Sequence, residues 1–137
     1  MEGRHKLAQL ITEGSKHVKQ CKGDMFAGDS HACALGMAFI GSYPDTWRIK
    51  LAECDDEEHR MVDERLGELL SYHGMPISMV SMKLIIPMNL QDLWWQNHHD
   101  SYYFESIMDV ISFLNDIAGL TPDEIASWLT SEDHDVG

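Results

Sequence analysis

The sequence predicts a mostly α, compact single domain over residues 1–137, with about five or six helices and at most a small β-hairpin. Three observations predict it. Four segments repeat apolar residues at helical spacing, and none sustains the alternation of a half-buried strand. A chain of 137 residues suits one domain that removes roughly two-thirds of its unfolded surface from water. Helix start and stop signals frame the last 31 residues, from Ile107 onward.

Leu7, Leu10, Ile11 and Val18 share one face of a helix expected from about Gly3 to Gln20, with Arg4, Lys6, Lys16 and Lys19 on its basic face. Gly23-Asp24 and Gly28-Asp29 read as turns around a short extended piece, Met25-Phe26-Ala27, the candidate hairpin. Ser30 suits an N-cap, and Ala32 to Ile40 is apolar on every side, so a short central helix is expected there. Trp47, Ile49 and Leu51 are expected to be buried, although the segment from Pro44 to Glu53 is ambiguous in type.

Asp55 as N-cap with Glu58 three residues on begins the next helix, and the pairs Asp56-Arg60 and Arg60-Glu64 support it. Val62, Leu66, Leu69 and Leu70 form its stripe, and His73-Gly74 is its stop. Ser78 is placed to cap a short helix through Met82, with Met75, Met79 and Met82 as adaptable core. The segment holding Trp94, Trp95, Tyr102, Tyr103 and Phe104 has no clear period. Ile107, Val110, Ile111, Leu114, Ile117 and Ala118 mark a helix that Gly119 stops. Thr121-Pro122-Asp123-Glu124 then supplies an N-cap, a Pro at N1 and an acid at N3, and Ile125, Trp128 and Leu129 face that last helix inward. Residues 131–137 are expected to fray as an acidic tail.

Charge is distributed unevenly. The net charge is −13, and from Leu84 to Gly137 there are ten acids and no Lys or Arg. Met1 to Lys22, with five cations against two acids, is the positive region. A tail so acidic repels nucleic acid and attracts cationic surfaces, although solubility or adaptation to high salt yields the same composition. Asp109, Asp116, Asp123, Glu124, Glu132 and Asp133 are the candidate acidic surface.

Catalytic and metal-binding patterns are weak. The last two helices resemble a helix-turn-helix in spacing, but Pro122 to Ser131 carries no cation with which to meet phosphates, so an ordinary helical hairpin is the better reading. His31-x-Cys33 and Cys54-x₄-His59 lack the spacing of a structural zinc site, and neither a metal nor another cofactor is expected. Cys33 beside His31 is the candidate nucleophile, yet its apolar neighbours predict a buried, inert thiol. No catalytic residue is assigned. Trp94, Trp95, His98, His99, Asp100, Tyr102 and Tyr103 could line a pocket or a protein-binding patch.

Two stretches resemble a family of small bacterial and phage proteins catalogued as domain of unknown function 6197. They are Cys33-Ala34-Leu35-Gly36, and Val110 to Asp116 followed by Gly119, Thr121, Glu124 and Ile125. The resemblance covers both ends of the chain and leaves residues 44–104 outside it. It implies a helical single domain and brings no activity. Asn115 and Asp116 carry over as motif positions, expected to make capping or buried polar contacts.

Three unpaired-looking cysteines, the lack of an apolar stretch after Met1 to Lys6 and the shortness of the longest apolar run predict a cytoplasmic protein that does not enter the membrane. The leading expectation is an acidic accessory protein of a phage or other mobile element that binds a basic protein surface and blocks nucleic-acid access to it, rather than an enzyme. A small-molecule binding or catalytic domain using Trp94 to Phe104 is the alternative, and a homodimer is compatible with either. Direct binding to DNA or RNA is not expected, because whole-molecule repulsion opposes the five N-terminal cations. A mobility-shift assay at physiological salt should therefore show no micromolar complex, and one abolished by reversing Lys16 and Lys19 would overturn that expectation.

Overall fold

The computed structural model describes residues 2–28, 30–53, 58–70, 85–97 and 107–135. Among these residues there are seven α-helices and a small three-stranded sheet. They are α1 (Glu2–Ser15), α2 (Ala34–Ser42), α3 (Trp47–Glu53), α4 (Glu58–Leu70), α5 (Gln91–Asn97), α6 (Ile107–Asp116) and α7 (Pro122–Leu129). The strands are β1 (Lys19–Gln20), β2 (Phe26–Ala27) and β3 (His31–Ala32). The mostly α architecture is the one the apolar periods predict.

At the centre lies α2, buried continuously from Ala34 to Ile40 and packed against α1, α4 and α6. Its apolar surface on all sides requires such a position, because no face of it suits water. Leu7, Leu10 and Ile11 of α1, Val62 and Leu66 of α4, Val110, Ile111 and Leu114 of α6, and Ile125 and Leu129 of α7 complete one core. Two glycines set how closely α1 and α2 approach. A Cβ on Gly14 would collide with the Met37 carbonyl, and one on Gly41 with the Leu10 carbonyl, so each helix presents a bare backbone to the other.

The first helix stops at Ser15, not near Gln20. Val18 stays buried as its period predicts, but the chain has left the helix, because Lys19 and Cys21 donate their N–H groups to the Ser30 and Ala32 carbonyls at 2.9 and 3.0 Å. β1 thereby pairs in parallel with β3, and β2 pairs antiparallel with β3 as the expected hairpin, giving the order β1-β3-β2. A parallel partner is invisible to local reading because it comes from across a connection.

Other expectations are corrected by packing. Ile49 is 61% exposed, because Trp47 and Leu51 occupy the inner side of α3 and a residue two positions from Trp47 points away from it. Ile117 is likewise exposed, since α6 ends at Asp116 and the chain turns through Gly119, whose φ is +73°. Arg4, assigned to the basic outer face, is 1% exposed and donates from Nη1 to the Leu129 and Ser131 carbonyls at 2.7 and 3.2 Å. It faces the C-terminal end of α7, where orphan carbonyls and the helix dipole favour a cation.

Of the expected acidic tail, residues 131–135 are described. Glu132–Asp135 form a 3-10 turn, and His134 is buried. Its Nδ1 accepts from the Ile85 N–H at 2.9 Å, so Nε2 carries the proton and donates to the Trp128 carbonyl at 2.8 Å. The Trp128 indole in turn donates to the Ile85 carbonyl at 2.8 Å, which ties the extended residues 85–87 to α7. The Arg60–Glu64 pair forms at 3.1 Å, while the cap at Asp55-Asp56, the His73-Gly74 stop and the Met75, Met79 and Met82 stripe lie outside the described residues.

Gly41→Ala is expected to lower stability by about 1–3 kcal/mol, the usual cost of overpacking. At an unencumbered helical site the same change would raise it by about 0.5–1 kcal/mol. The sign of the shift in the urea midpoint checks the close approach of α1 and α2.

Candidate functional site

A buried polar junction organises the region where the N-terminal and C-terminal parts meet. Asn115, in the last turn of α6, is fully buried and uses all four hydrogen-bonding positions of its side chain. Its Oδ1 accepts from the Ala34 N–H at 3.0 Å and from Gln20 Nε2 at 2.9 Å. Its Nδ2 donates to the Cys21 carbonyl at 2.9 Å and to Asp116 Oδ1 at 2.7 Å. Two donors on one side and two acceptors on the other admit one orientation of the amide. Gln20 Nε2 also donates to the Leu120 carbonyl at 2.7 Å, and Asp116 Oδ1 accepts from the Gly23 N–H at 3.0 Å.

The first N–H groups of a helix lack partners within it, and α2 obtains one from Asn115 across the fold. Ser30, expected as its N-cap, lies before β3, and the N-cap position belongs to Cys33, whose side chain makes no capping bond. Ser30 Oγ instead pairs with His31 Nδ1 at 2.8 Å. The Cys33 thiol is buried, and desolvation pushes it up to about 11 from its ordinary 9.0, while the amides of Gly36 and Leu35 pull weakly the other way. A nucleophile requires the opposite environment. Burial also raises the Cys21 thiol, and the carboxylates of Asp24 and Asp116 add to the shift.

The last helix carries the reciprocal cap read from its sequence. Thr121 Oγ1 accepts from the Glu124 N–H at 3.2 Å, and Glu124 Oε1 accepts from the Thr121 N–H at 3.0 Å. One oxygen of Glu124 is therefore committed to structure. Asp123, Glu124 and Glu132 are exposed along α7 and the turn that follows, with Asp133 in the same turn. Asp109 is half-buried on α6, and Asp116 serves the Asn115 junction rather than an open acidic surface. The acidic set is thus divided between surface and scaffold.

The aromatic set divides as well. Trp94 is a core residue, edge-on to Phe113 with ring centroids 5.0 Å apart. Trp95, its neighbour on α5, is 38% exposed. Adjacent residues on a helix diverge by about 100°, which is why one tryptophan enters the core and the other does not. His98, His99, Asp100, Tyr102 and Tyr103 lie outside the described residues. No family model, curated protein or solved structure matches this chain.

Sequence reasoning missed a cavity. It measures about 450 Å³ and lies between the end of α1, the outer side of β1 and β3, and the start of α3. Lys16, Lys19, Arg48, His17, His31 and Ser30 line it. Lys16 and Lys19 were legible as a basic face, but the parallel register that sets Lys19 beside His31 was not. Among the described residues no group of three or more His, Cys, Asp or Glu is placed to hold a metal ion, and no helix is long and apolar enough to cross a membrane.

Asn115→Ala should cost about 3 kcal/mol or more, since it strands several buried partners. Asn115→Asp should cost at least as much at neutral pH despite its shape, because an oxygen would face the Cys21 carbonyl and Asp116 Oδ1. Its deficit should shrink as the new carboxyl is protonated and regains a donor. Urea titrations at neutral and acidic pH check both.

For Cys33, thiol labelling of the native protein should be slow at neutral pH and accelerate as the pH approaches about 11. The unfolded thiol ionises near 9.0, below the folded one, so this group's stabilising contribution is complete below pH 9.0 and declines from there toward about 11. Labelling at pH 7 as fast as in denaturant would contradict the buried assignment.

Proposed function

We propose that this protein is an acidic interaction module of a phage or other mobile element, acting in the cytoplasm by binding a basic protein surface rather than by catalysis. Its exposed carboxylates occupy the positions that nucleic-acid phosphates would take, and so block access to that surface. The observation that carries this reading is the exposure of Asp123, Glu124 and Glu132 on α7 and the following turn, in a stretch of sequence without Lys or Arg. Fixed, like-signed charges on a rigid helix attract a cationic groove and speed the encounter with it. The Thr121–Glu124 cap and Arg4 at the other end of α7 support the reading, because both hold the helix that bears these acids.

We also propose kinship with the family known as domain of unknown function 6197. The two stretches that carry the resemblance are far apart in sequence, and the Asn115 side chain bonds to the Ala34 N–H between them. Gly119 at φ +73° and the Thr121 cap give two further motif positions a physical role. These contacts support the motif as one structural unit and leave its activity to the surface chemistry.

Capture of basic proteins from a source-cell lysate tests the functional reading. Binding should fall steeply between about 0.1 M and about 1 M salt, over which the Debye length shrinks from about 10 to about 3 Å. An Asp123→Asn, Glu132→Gln double variant leaves Glu124 in its cap and should weaken capture several-fold at the lower salt. Capture indifferent to salt and to both substitutions would overturn the proposal.

A further inference from the structure

We propose that the cavity between the end of α1, the outer side of β1 and β3, and the start of α3 binds a phosphorylated small molecule. Three formal cations, Lys16, Lys19 and Arg48, line it together with His17, His31 and the Ser30 hydroxyl, and among the described residues no Asp or Glu lines it. The chain has ten Lys and Arg in a molecule of net charge −13. Gathering three of them in one concavity costs mutual repulsion, which an anion with several oxygens offsets.

The side chains are held for that task by the fold. The parallel register pairs Lys19 with His31 on the outer side of the sheet, while Ala32 is buried on the other. The bond between Ser30 Oγ and His31 Nδ1 at 2.8 Å orients the imidazole. The Arg48 guanidinium lies over the Trp47 ring at 4.6 Å, and Trp47 is anchored in the core, so the planar fork is positioned from below. Lys19 and Arg48 have no carboxylate partner among the described residues. Lys16 pairs with Glu13 at 3.0 Å, but both are well exposed, and such a pair yields readily to a stronger anion.

The class of ligand follows from these dimensions and charges. About 450 Å³ lies within the usual range for small-molecule sites, and a forked guanidinium with two ammonium groups suits a phosphate or diphosphate group better than one carboxylate. A polynucleotide would extend beyond the cavity into the field of a strongly acidic molecule. The site is thus for a small phosphorylated compound and stands independently of the basic partner proposed for α7.

Amide NMR of the full chain titrated with pyrophosphate tests this, with sulfate and chloride matched for ionic strength. Saturable shifts at Lys19, His31 and Arg48 are expected for pyrophosphate, with sulfate weaker and chloride inert. Lys19→Gln and Arg48→Gln should each weaken binding about tenfold, as loss of one charge-assisted contact does. Lys6→Gln removes the same charge from a lysine of α1 that does not line the cavity, and should leave binding unchanged. Lys19 and Arg48 are both exposed, so folding of each variant is expected and is verified by its own amide spectrum. No saturable shift at millimolar pyrophosphate, an equal response to chloride, or an equal loss in Lys6→Gln would overturn the proposal. Tighter binding of a single-stranded oligonucleotide through the same residues would overturn the assignment to a small ligand.

Discussion

Asn115 is the constraint on which the arrangement of this protein depends. Its amide stands at the meeting point of the C-terminal end of α6, the first turn of α2, the end of β1 and the loop at Gly23, and it bonds directly to the first three. The most apolar helix of the fold, α2, begins with Cys33, which makes no side-chain cap, so the polar partner for its amide must come from elsewhere. A buried amide with every position filled is stabilising, whereas one with a vacant position is costly. That asymmetry makes the junction selective. The parallel strand, the start of the central helix and the end of α6 must all be in place for every position of the amide to be filled.

A second set of polar contacts closes the other side of the molecule. Arg4 meets the carbonyls at the end of α7, His134 and Trp128 grip the two backbone groups of Ile85, and Arg65 reaches the Ser42 carbonyl at the end of α2 while lying 4.3 Å over the Tyr43 ring. In each case a side chain serves backbone groups that their own element leaves without partners. The chain's two proposed surfaces are presented by the frame so formed. Acids project from α7, which Arg4 and the Thr121 cap hold, and cations line the concavity where the β1–β3 pairing sets Lys19 beside His31 and α3 supplies Arg48. The resulting molecule has a strong overall negative charge and a local positive concavity, two features that select different partners.

Much of this was legible in the sequence and much was not, for reasons specific to each residue. The helical period placed Leu7, Leu10, Ile11, Val62, Leu66, Val110, Ile111, Leu114, Ile125 and Leu129 in the core, where they lie. The Thr121-Pro122-Asp123-Glu124 cap was readable because all its atoms come from one turn. Arg4 was not, since a lone arginine on an amphipathic helix reads as solvated until the carbonyls it meets, 125 residues away, are brought to it. Asn115 was legible as a polar position at a helix end, but three of its four partners, Ala34, Gln20 and Cys21, lie far away in the sequence. The cavity escaped for the same reason, because Lys19, His31 and Arg48 belong to different elements.

By itself the sequence determined what depends on neighbours along the chain: the helical class, the apolar faces, the final cap and the segregation of charge toward the C-terminal part. Periodicity, capping and net charge are local or additive, so they need no fold to be read. Only the tertiary structure decided where α1 gives way to a parallel strand, that Trp94 turns inward and Trp95 outward, that His134 is buried, and that six polar residues line one open concavity. Those outcomes rest on pairings between residues distant in sequence. A hydrogen bond or a cavity wall has no counterpart in one segment until packing of the core has set the segments side by side.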